Sequence, residues 1–373
     1  MFPAKILLVQ LFSNGDCLYA TAIARQIKHD YPDCHLSWII SSSCKHILTG
    51  NPFVDQIIET TDVAKDNTSS YRKFIKHIQN RKRQGEWDEV FITHLMDTNE
   101  ANYDGCIRSA IFRGYGRPVT VDIMPVLRLT DKEIKNASDF SVKYKLKEFT
   151  HVVLFEFAPL SGQAAITPAE SIKIAEILTD SHDTAVILSS ARKIDHVNPR
   201  IIDGSVLSIR ETAAITHYCH FLIGCSSGIT WLTTSDGARH LPTLQLLNPF
   251  TNWINPLSRD FKRFGIDDSN LIELAEINVQ TVAACATAAF SAFGEAKKKY
   301  HQPIPLHFKT TRKIVYNLLC YLEIGAILKH IRINREIFGN NPLFYKEVLI
   351  GFLISPFKLT ANFFRKKIFP KFK

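Results

Sequence analysis

The chain has 373 residues, 46% of them hydrophobic, which is enough for two domains with buried cores and a C-terminal extension. No apolar run reaches the roughly 18–20 residues that a membrane-spanning helix requires. Residues 296–373 contain sixteen Lys or Arg and three Glu, a net charge of +13, whereas the rest, with 29 basic and 33 acidic groups, carries −4. We therefore expect no nucleic-acid binding by the body and contact of the basic extension with an anionic surface.

The chain enters its first predicted strand without the basic, apolar and small-residue segments of a secretory signal. Its eight cysteines are scattered, and no two have the C-x-x-C spacing of a zinc or redox site. Together these features predict a cytosolic protein with reduced and mostly buried thiols.

Short apolar runs alternate with helical periodicity through the first half of the chain, which predicts an open parallel sheet covered by helices. The predicted strands are 5–11, 36–40, 56–58 and 89–93, and the predicted helices are 45–48, 69–82 and 102–112. Thr130 and Glu133 have the spacing of a capping box and start a further helix. The polar segment 135–149 is predicted to link the two domains.

The first strand is followed by a turn, Ser13-Asn14-Gly15, and by a helix that begins near Asp16. Gly15 predicts a backbone conformation that a side chain would resist. Asp16 is either an N-cap, since its carboxylate accepts free N–H groups, or a general base that faces the ligand crevice of the sheet. The run lacks the G-x-G-x-x-G pattern of a dinucleotide site.

A polar loop, 94–99, follows the fourth predicted strand at the edge where ligands bind in such sheets. His94 and Asp97 in this loop are candidates for contact with an acceptor substrate, and a solvated loop is the alternative interpretation.

The second half repeats the alternation. Strands are predicted at 152–157, 185–188, 221–224 and 243–247, and helices at 209–215 and 278–293. Another helix begins at Thr167-Pro168-Ala169-Glu170, which places Thr at the N-cap, Pro at N1 and Glu at N3.

Three loops of this half carry groups that suit an anionic ligand. Free N–H groups and the helix dipole favour phosphate at small-residue turns before a helix, although an ordinary connection or cap has the same composition. Arg192 is equally compatible with a surface charge. The residues concerned are Ser161, Gly162 and Gln163 in the first loop, Ser190 and Arg192 in the second, and Ser226, Ser227 and Gly228 in the third.

The extension combines helical periodicity with a basic end. Residues 312–331 predict one long amphipathic helix. Residues 348–357 are apolar but too few to span a bilayer. Residues 363–373 interleave Phe with Lys and Arg, which favours an interfacial anchor on anionic lipid over a solvated tail or an oligomer contact.

Residues 7–58 resemble the N-terminal domain of the ADP-heptose:lipopolysaccharide heptosyltransferases, which have the GT-B fold. The resemblance is carried by Gly15-Asp16, Ala20-Thr21-Ala22, Tyr31-Pro32-Asp33, Leu36-Ser37-Trp38-Ile39, Gly50-Asn51-Pro52 and Val54-Asp55. It implies that Asp16 is the catalytic base.

The second half is similar to the donor domain of that family. The matching features are the helix near Glu211, the strand ending at Gly224, the Ser-Gly turn and the strand after Leu241-Pro242. The family has Asp and His where this chain has Ser226 and Trp231, and a basic residue where it has Ala164 or Ala165. The resemblance implies a donor-binding turn, with several donor contacts changed. It also implies that the C-terminal helix predicted over 312–331 crosses back to the first domain.

These observations predict an α/β protein of GT-B type, with two doubly wound, Rossmann-like domains that face a central cleft. The predicted units are an acceptor domain (1–145), a nucleotide-sugar donor domain (146–295) and a basic helical extension (296–373). We expect an inverting, metal-independent glycosyltransferase without a cofactor, peripheral on the cytoplasmic membrane face, that transfers heptose or another sugar to lipopolysaccharide or a related lipid-linked glycan.

In this hypothesis Asp16 is the base, and His94 and Asp97 contact the acceptor. The donor-binding candidates are Asn14, Gly15, Ser161, Gly162, Gln163, Ser190, Arg192, Glu211, Ser226, Ser227 and Gly228. The alternatives are a non-catalytic GT-B protein that binds a glycan or nucleotide or scaffolds a glycan-assembly complex, and a sugar-nucleotide epimerase.

Overall fold

The structure is a computed structural model that describes residues 3–65, 67–157, 162–251 and 253–354 of the chain. Ser161, one of the donor-binding candidates, lies outside the described residues. The basic segment 363–373, predicted to contact a membrane, also lies outside them.

The first sheet has four parallel strands in the order β3-β2-β1-β4. Its strands are β1 (Lys5–Val9), β2 (His35–Ser41), β3 (Gln56–Thr60) and β4 (Glu89–Ile92). Its helices are α1 (Asn14–Asp30), α2 (Thr68–Arg83) and α3 (Ile107–Tyr115). All four predicted strands are confirmed, because buried parallel strands are apolar on both faces and stand out in the sequence.

The second sheet has six parallel strands in the order β10-β9-β8-β5-β6-β7. Its strands are β5 (His151–Glu156), β6 (Thr184–Ser189), β7 (Ile201–Asp203), β8 (Phe221–Gly224), β9 (Thr243–Leu246) and β10 (Leu271–Leu274). Counted from β5, this is the doubly wound order of a dinucleotide-binding fold.

Six helices accompany the second sheet: α4 (Asp131–Lys143), α5 (Pro168–Ser181), α6 (Ile209–Ile215), α7 (Gly228–Leu232), α8 (Leu257–Phe264) and α9 (Val279–Tyr300). The capping boxes predicted at Thr130 and Thr167 are both present. The sequence analysis missed β7, α8 and β10, which have only three, eight and four residues.

The predicted linker is wrong. Most of the segment 135–149 belongs to helix α4, which buries Ala137 and Phe140 in the core of the second domain. This packing assigns α4 to the second domain, so the chain passes between the domains before Thr130. The polar composition that suggested a linker belongs to the exposed face of the helix.

The C-terminal extension crosses back to the first domain, as predicted. It forms α10 (Lys309–Cys320), α11 (Ile324–Phe338) and a helix over residues 342–354. Ile314 and Ile327 share a core with Ala101 and Ala110 of the first domain. The single long helix predicted over 312–331 is wrong, because Leu322 has a left-handed backbone (φ 59°) that breaks it. Among the described helices, none has both the length and the apolarity to cross a membrane.

Candidate active site between the two sheets

The loops that follow all four strands of the first sheet lie at one edge, because parallel strands end on the same side. Strand β1 leads into α1 through Ser13, which has a left-handed backbone (φ 67°) and occupies the N-cap position. The expected turn at Gly15 is therefore wrong, since Gly15 already lies in the helix. Asp16 is the third helical residue, so the N-cap interpretation of Asp16 is also wrong.

Asp16 is half-buried at this edge of the first sheet, in the first turn of α1. Burial and, to a smaller extent, the nearby thiol of Cys44 raise its pKa to about 7, against the opposing effect of Lys65. A carboxylate with a pKa close to the working pH can take a proton and release it again. The position and the environment of Asp16 therefore suit a general base.

Cys44 and Lys65 bring two further groups to this edge, from the loops after β2 and β3. A hydrogen bond from Cys17 lowers the pKa of the Cys44 thiol to about 7, against the opposing effect of burial. No sequence pattern marked either residue, since only the parallel order of the strands places their loops beside α1.

His94 lies beneath this edge of the sheet. Its Nδ1 atom lies 3.2 Å from Nε2 of Gln10, and its ring packs against Phe12 and Tyr71. Burial lowers its pKa to about 4, so it is neutral at physiological pH. These contacts support the shape of the loop, and His94 is only 6% exposed.

Asp97 is held by the C-terminal extension. Its carboxylate lies 2.6 Å from Arg72, which also pairs with Glu323 and packs over the ring of Tyr321. Burial raises the pKa of Asp97, and Arg72 opposes that effect. The contacts of Asp97 thus join the loop after β4 to the turn between α10 and α11.

The second sheet presents a different carboxylate at its own edge. Glu156 is the last residue of β5 and is 1% exposed. It accepts hydrogen bonds from the backbone N–H of Cys225 (2.7 Å) and Ser227 (3.5 Å) and from the hydroxyls of Ser227 and Thr230. The Glu156 carboxylate therefore binds several of the N–H and hydroxyl groups that were predicted to bind an anion at the turn after β8.

Two of the residues predicted to bind the sugar donor, Ser226 and Gln163, form hydrogen bonds within the protein at the turn after β8. The Ser226 hydroxyl accepts a hydrogen bond from Gln245, and its backbone is left-handed (φ 57°). The Gln163 side chain donates to the Ser226 carbonyl (3.2 Å) and accepts from the Asn255 N–H (2.8 Å). These bonds join three loops of the second domain and fix the position of the turn.

The other residues of this domain predicted to bind the sugar donor lie in the loops after β5 and β6 and at the start of α6. Gly162 has a positive φ (68°) and open space where a side chain would project. The hydroxyl of Ser190 accepts from the N–H of Arg192 (2.9 Å), and Arg192 is exposed. Glu211 forms a capping box with Ser208 at the start of α6. Its contacts support that helix.

The two edges meet where α1 and α7 begin. A Cβ atom built on Gly228 would lie 3.3 Å from Cβ of Asn14, and one built on Gly15 would lie 3.2 Å from Cδ1 of Trp231. The Trp231 ring also packs edge-on against Tyr19, with 5.2 Å between the ring centroids. The position that is His in the resembled family is thus a domain contact here. Gly15 therefore allows this close approach and does not form a turn.

A separate cavity of about 350 Å³ lies between the domains, at the amino-terminal ends of strands β9 and β10. Its lining includes Arg108, Met124, Leu257 and Phe261 and is mainly apolar. It shares no residue with the predicted site. Across the described residues, no group of three or more His, Cys, Asp or Glu is placed to hold a metal ion.

Glu156 is the principal residue that the sequence analysis missed. An acidic residue at the carboxyl end of an otherwise apolar strand was the available signal, because such a position faces the ligand crevice or a buried polar partner.

Comparison with solved structures finds the same architecture in a glycosyl transferase. A glycosyl transferase of family 9 from Veillonella parvula DSM 2008 matches with a TM-score of 0.55 and 14% identity, over 77% of this chain and 97% of that one. The ADP-heptose lps heptosyltransferase II of E. coli matches with a TM-score of 0.48 and 15% identity, over 77% and 98%. No protein-family model and no curated protein matches the sequence. The predicted GT-B architecture is confirmed, and the chain has the fold of the Veillonella family 9 glycosyl transferase.

Proposed function

We propose that the protein is a glycosyltransferase that takes a sugar from a nucleotide-sugar donor, with Asp16 as the catalytic base. The observation that carries this proposal is the half-buried Asp16 carboxylate, whose pKa is raised to about 7. Asp16 lies two residues from Asn14, the residue that touches the turn of the second domain at Gly228. The fold shared with a family 9 glycosyl transferase supports the same conclusion.

The proposed reaction is a single displacement at the anomeric carbon. The acceptor hydroxyl gives its proton to the Asp16 carboxylate while its oxygen forms the new bond to that carbon. The bond from the carbon to the diphosphate oxygen breaks, and its electron pair leaves with the nucleoside diphosphate. Attack from the side opposite the leaving group inverts the anomeric configuration.

We place the donor along the carboxyl edge of the second sheet. Gly162, Ser190 and Arg192 offer open backbone, a hydroxyl and an exposed cation there. Arg192 is the proposed counter-charge for the departing diphosphate, acting as a fixed charge without a metal. The amide groups that Glu156 occupies are not available to phosphate, so Ser226 and Ser227 are proposed to shape the turn around Gly228.

The acceptor and the location are further parts of the proposal. The resemblance to the heptosyltransferases supports heptose or a related sugar as the transferred group, and lipopolysaccharide or a similar lipid-linked glycan as the acceptor. We propose that the protein acts on the inner face of the cell membrane, held there by its basic C-terminal segment, whose composition suits anionic lipid.

A second candidate function is binding of a glycan or nucleotide without transfer. Two observations favour it. Glu156 accepts hydrogen bonds from backbone N–H groups of the turn. Trp231 packs in the contact between the domains, at a position that is His in the resembled family. Both features reduce the groups available to a donor, whereas the shifted pKa of Asp16 favours catalysis.

A donor panel separates the two candidates. Thermal shift with ADP-, GDP-, UDP-, CMP- and dTDP-linked sugars identifies a bound donor, because a ligand that binds only the folded state raises stability. Donor hydrolysis or transfer is then measured for the wild type, for Asp16→Asn and for Asp62→Asn, an exposed acid after β3 that serves as the matched control.

We expect Asp16→Asn to lower turnover by about 10²–10⁴-fold, the usual contribution of a general base. Donor binding should stay within a few-fold of the wild type, and Asp62→Asn should behave as the wild type. Unchanged turnover in Asp16→Asn removes the base assignment. A wild type that binds a donor and never turns it over supports the binding protein instead.

A further inference from the structure

The helix over residues 342–354 has two apolar faces. Phe344 and Val348 on the inner face are buried. Leu343, Leu349 and Leu353 on the outer face are 57%, 59% and 58% exposed. A helix that is apolar all round normally has partners on both sides. The outer face of this helix is therefore a surface that a second partner would cover.

The inner face of this helix is fixed against α10. Arg312 and Glu347 form a two-pronged ion pair with distances of 2.7 and 3.0 Å. A Cβ atom built on Gly351 would lie 2.8 Å from Cβ of Val315, so the two helices approach closely there. Because these contacts fix the rotation of the helix, the outer leucines cannot turn inward.

Exposed apolar side chains concentrate in this part of the described structure. Eight of its fifteen exposed large hydrophobic residues lie between positions 321 and 353. Besides the three leucines they are Tyr321, Leu322, Ile324, Leu328 and Phe352. Single exposed apolar residues are ordinary, so the three leucines that share one helix face are the part of this set that indicates an interaction surface.

The charge of the adjoining segment indicates which kind of partner covers this face. Lys346 is exposed between the leucines. The sequence that follows, 355–373, contains six Lys or Arg, five Phe and no acidic residue. Anionic lipid attracts such a segment, because each basic residue near the surface adds to the electrostatic attraction. A second copy of the chain would bring the same positive charge against itself.

We propose that the outer face of the 342–354 helix lies on an anionic lipid bilayer, with Leu343, Leu349 and Leu353 in the interface and Lys346 at the headgroups. This extends the membrane contact of the proposed function from the basic segment to a helix that is packed on the first domain. The orientation follows from that packing, because the bilayer then faces the C-terminal helices.

The test is sedimentation of the full chain with vesicles of phosphatidylcholine and phosphatidylglycerol, compared with vesicles of phosphatidylcholine alone. We expect binding to the anionic vesicles that weakens with salt, because screening reduces the attraction of the basic groups. The double variant Leu349→Glu with Leu353→Glu should bind at least tenfold more weakly, since it removes apolar contact and adds repulsion.

The matched control is Val142→Glu with Val206→Glu, which changes two residues of the second domain that are 73% and 66% exposed. It should bind as the wild type. If the leucine double variant has a lowered melting temperature, the single variant Leu353→Gln takes its place. Asp16→Asn should also bind vesicles normally, so failure of sugar transfer and failure of this surface are separate results.

Three results would overturn the proposal. Equal binding to both kinds of vesicle would remove the preference for anionic lipid. If the leucine variants bind vesicles as tightly as the wild type, the contact lies elsewhere on the protein. A wild type that is dimeric by light scattering and becomes monomeric in the leucine variant, with vesicle binding unchanged, would make a second copy the occupant.

Discussion

Two carboxylates occupy comparable points of the two sheets and have opposite environments. Asp16 follows β1 at the edge of the first sheet, half-buried, with a pKa raised to about 7 by burial. Glu156 ends β5 at the edge of the second sheet, buried, with four donor groups on its two oxygens. The first is poised to exchange a proton, and the second holds a turn in place.

The difference shows that a position in a fold does not assign chemistry. Both residues lie at the point of a parallel sheet where ligands usually bind. A carboxylate whose oxygens are all engaged stabilises structure, while one that is desolvated without such partners is available for reaction. Mutations that treat the two residues alike should therefore have unlike effects.

The largest contrast is expected in stability. Glu156→Ala leaves buried hydroxyl and N–H groups of the turn without an acceptor, and each such group costs about 1–3 kcal/mol. We expect a loss of about 3–5 kcal/mol in the free energy of unfolding, measured by urea denaturation. Asp16→Ala should leave stability unchanged or raised at pH 8, because it removes a desolvated charge.

Glu156→Gln serves as the control for that experiment, since it keeps the size of the side chain and one acceptor oxygen. Its loss should be about half that of Glu156→Ala. Equal losses for the alanine variants at the two positions would show that the environments do not differ as described.

The pH dependence of stability is the second contrast. A carboxyl whose pKa is about 7 when folded and 3.8 when unfolded keeps its proton longer in the folded state. Between about pH 4 and 7 the folded state then binds more protons, so its stability falls as pH rises. We expect this to contribute about 2 kcal/mol, discounted for the solvent contact of Asp16.

The measurement is the difference in unfolding free energy between the wild type and Asp16→Asn, followed from pH 4.5 to 8. The variant should become relatively more stable as pH rises, because Asn carries no proton. Glu100, whose pKa is also raised to about 7, titrates in both proteins and cancels in the difference. A difference that does not change with pH would contradict the raised pKa of Asp16.

The smallest expected effect concerns the contact between the two edges. Gly15→Ala would place a Cβ atom 3.2 Å from Cδ1 of Trp231, which is 4% exposed and held against Tyr19. We expect a loss of about 1 kcal/mol, because this crowding outweighs the helix propensity gained with Ala.

Gly325→Ala is the matched control, since Gly325 is the second residue of α11, as Gly15 is of α1, and nothing lies within 4 Å of its added Cβ. A double-mutant cycle with Trp231→Leu should recover the loss at Gly15, with a coupling energy of about 1 kcal/mol. Additive effects of the two changes would show that Trp231 does not press on Gly15.

The sequence by itself determined the strands of the first sheet and most helix starts, whereas the crossing of the extension to the first domain was expected only from the family resemblance. Apolar runs and capping residues are local signals, and the capping boxes at Thr130 and Thr167 formed as their spacing predicted. Asp16 was identified as a candidate by its place after β1 and by the family resemblance.

Only the tertiary structure decided which groups share the site. Cys44 and Lys65 lie beside α1 because the parallel strands of the first sheet end on one edge, and this proximity of residues distant in sequence leaves no local pattern. The same holds for Trp231, whose ring reaches Gly15 from another domain. Local patterns record how a segment folds, while the partners of a side chain depend on how segments pack.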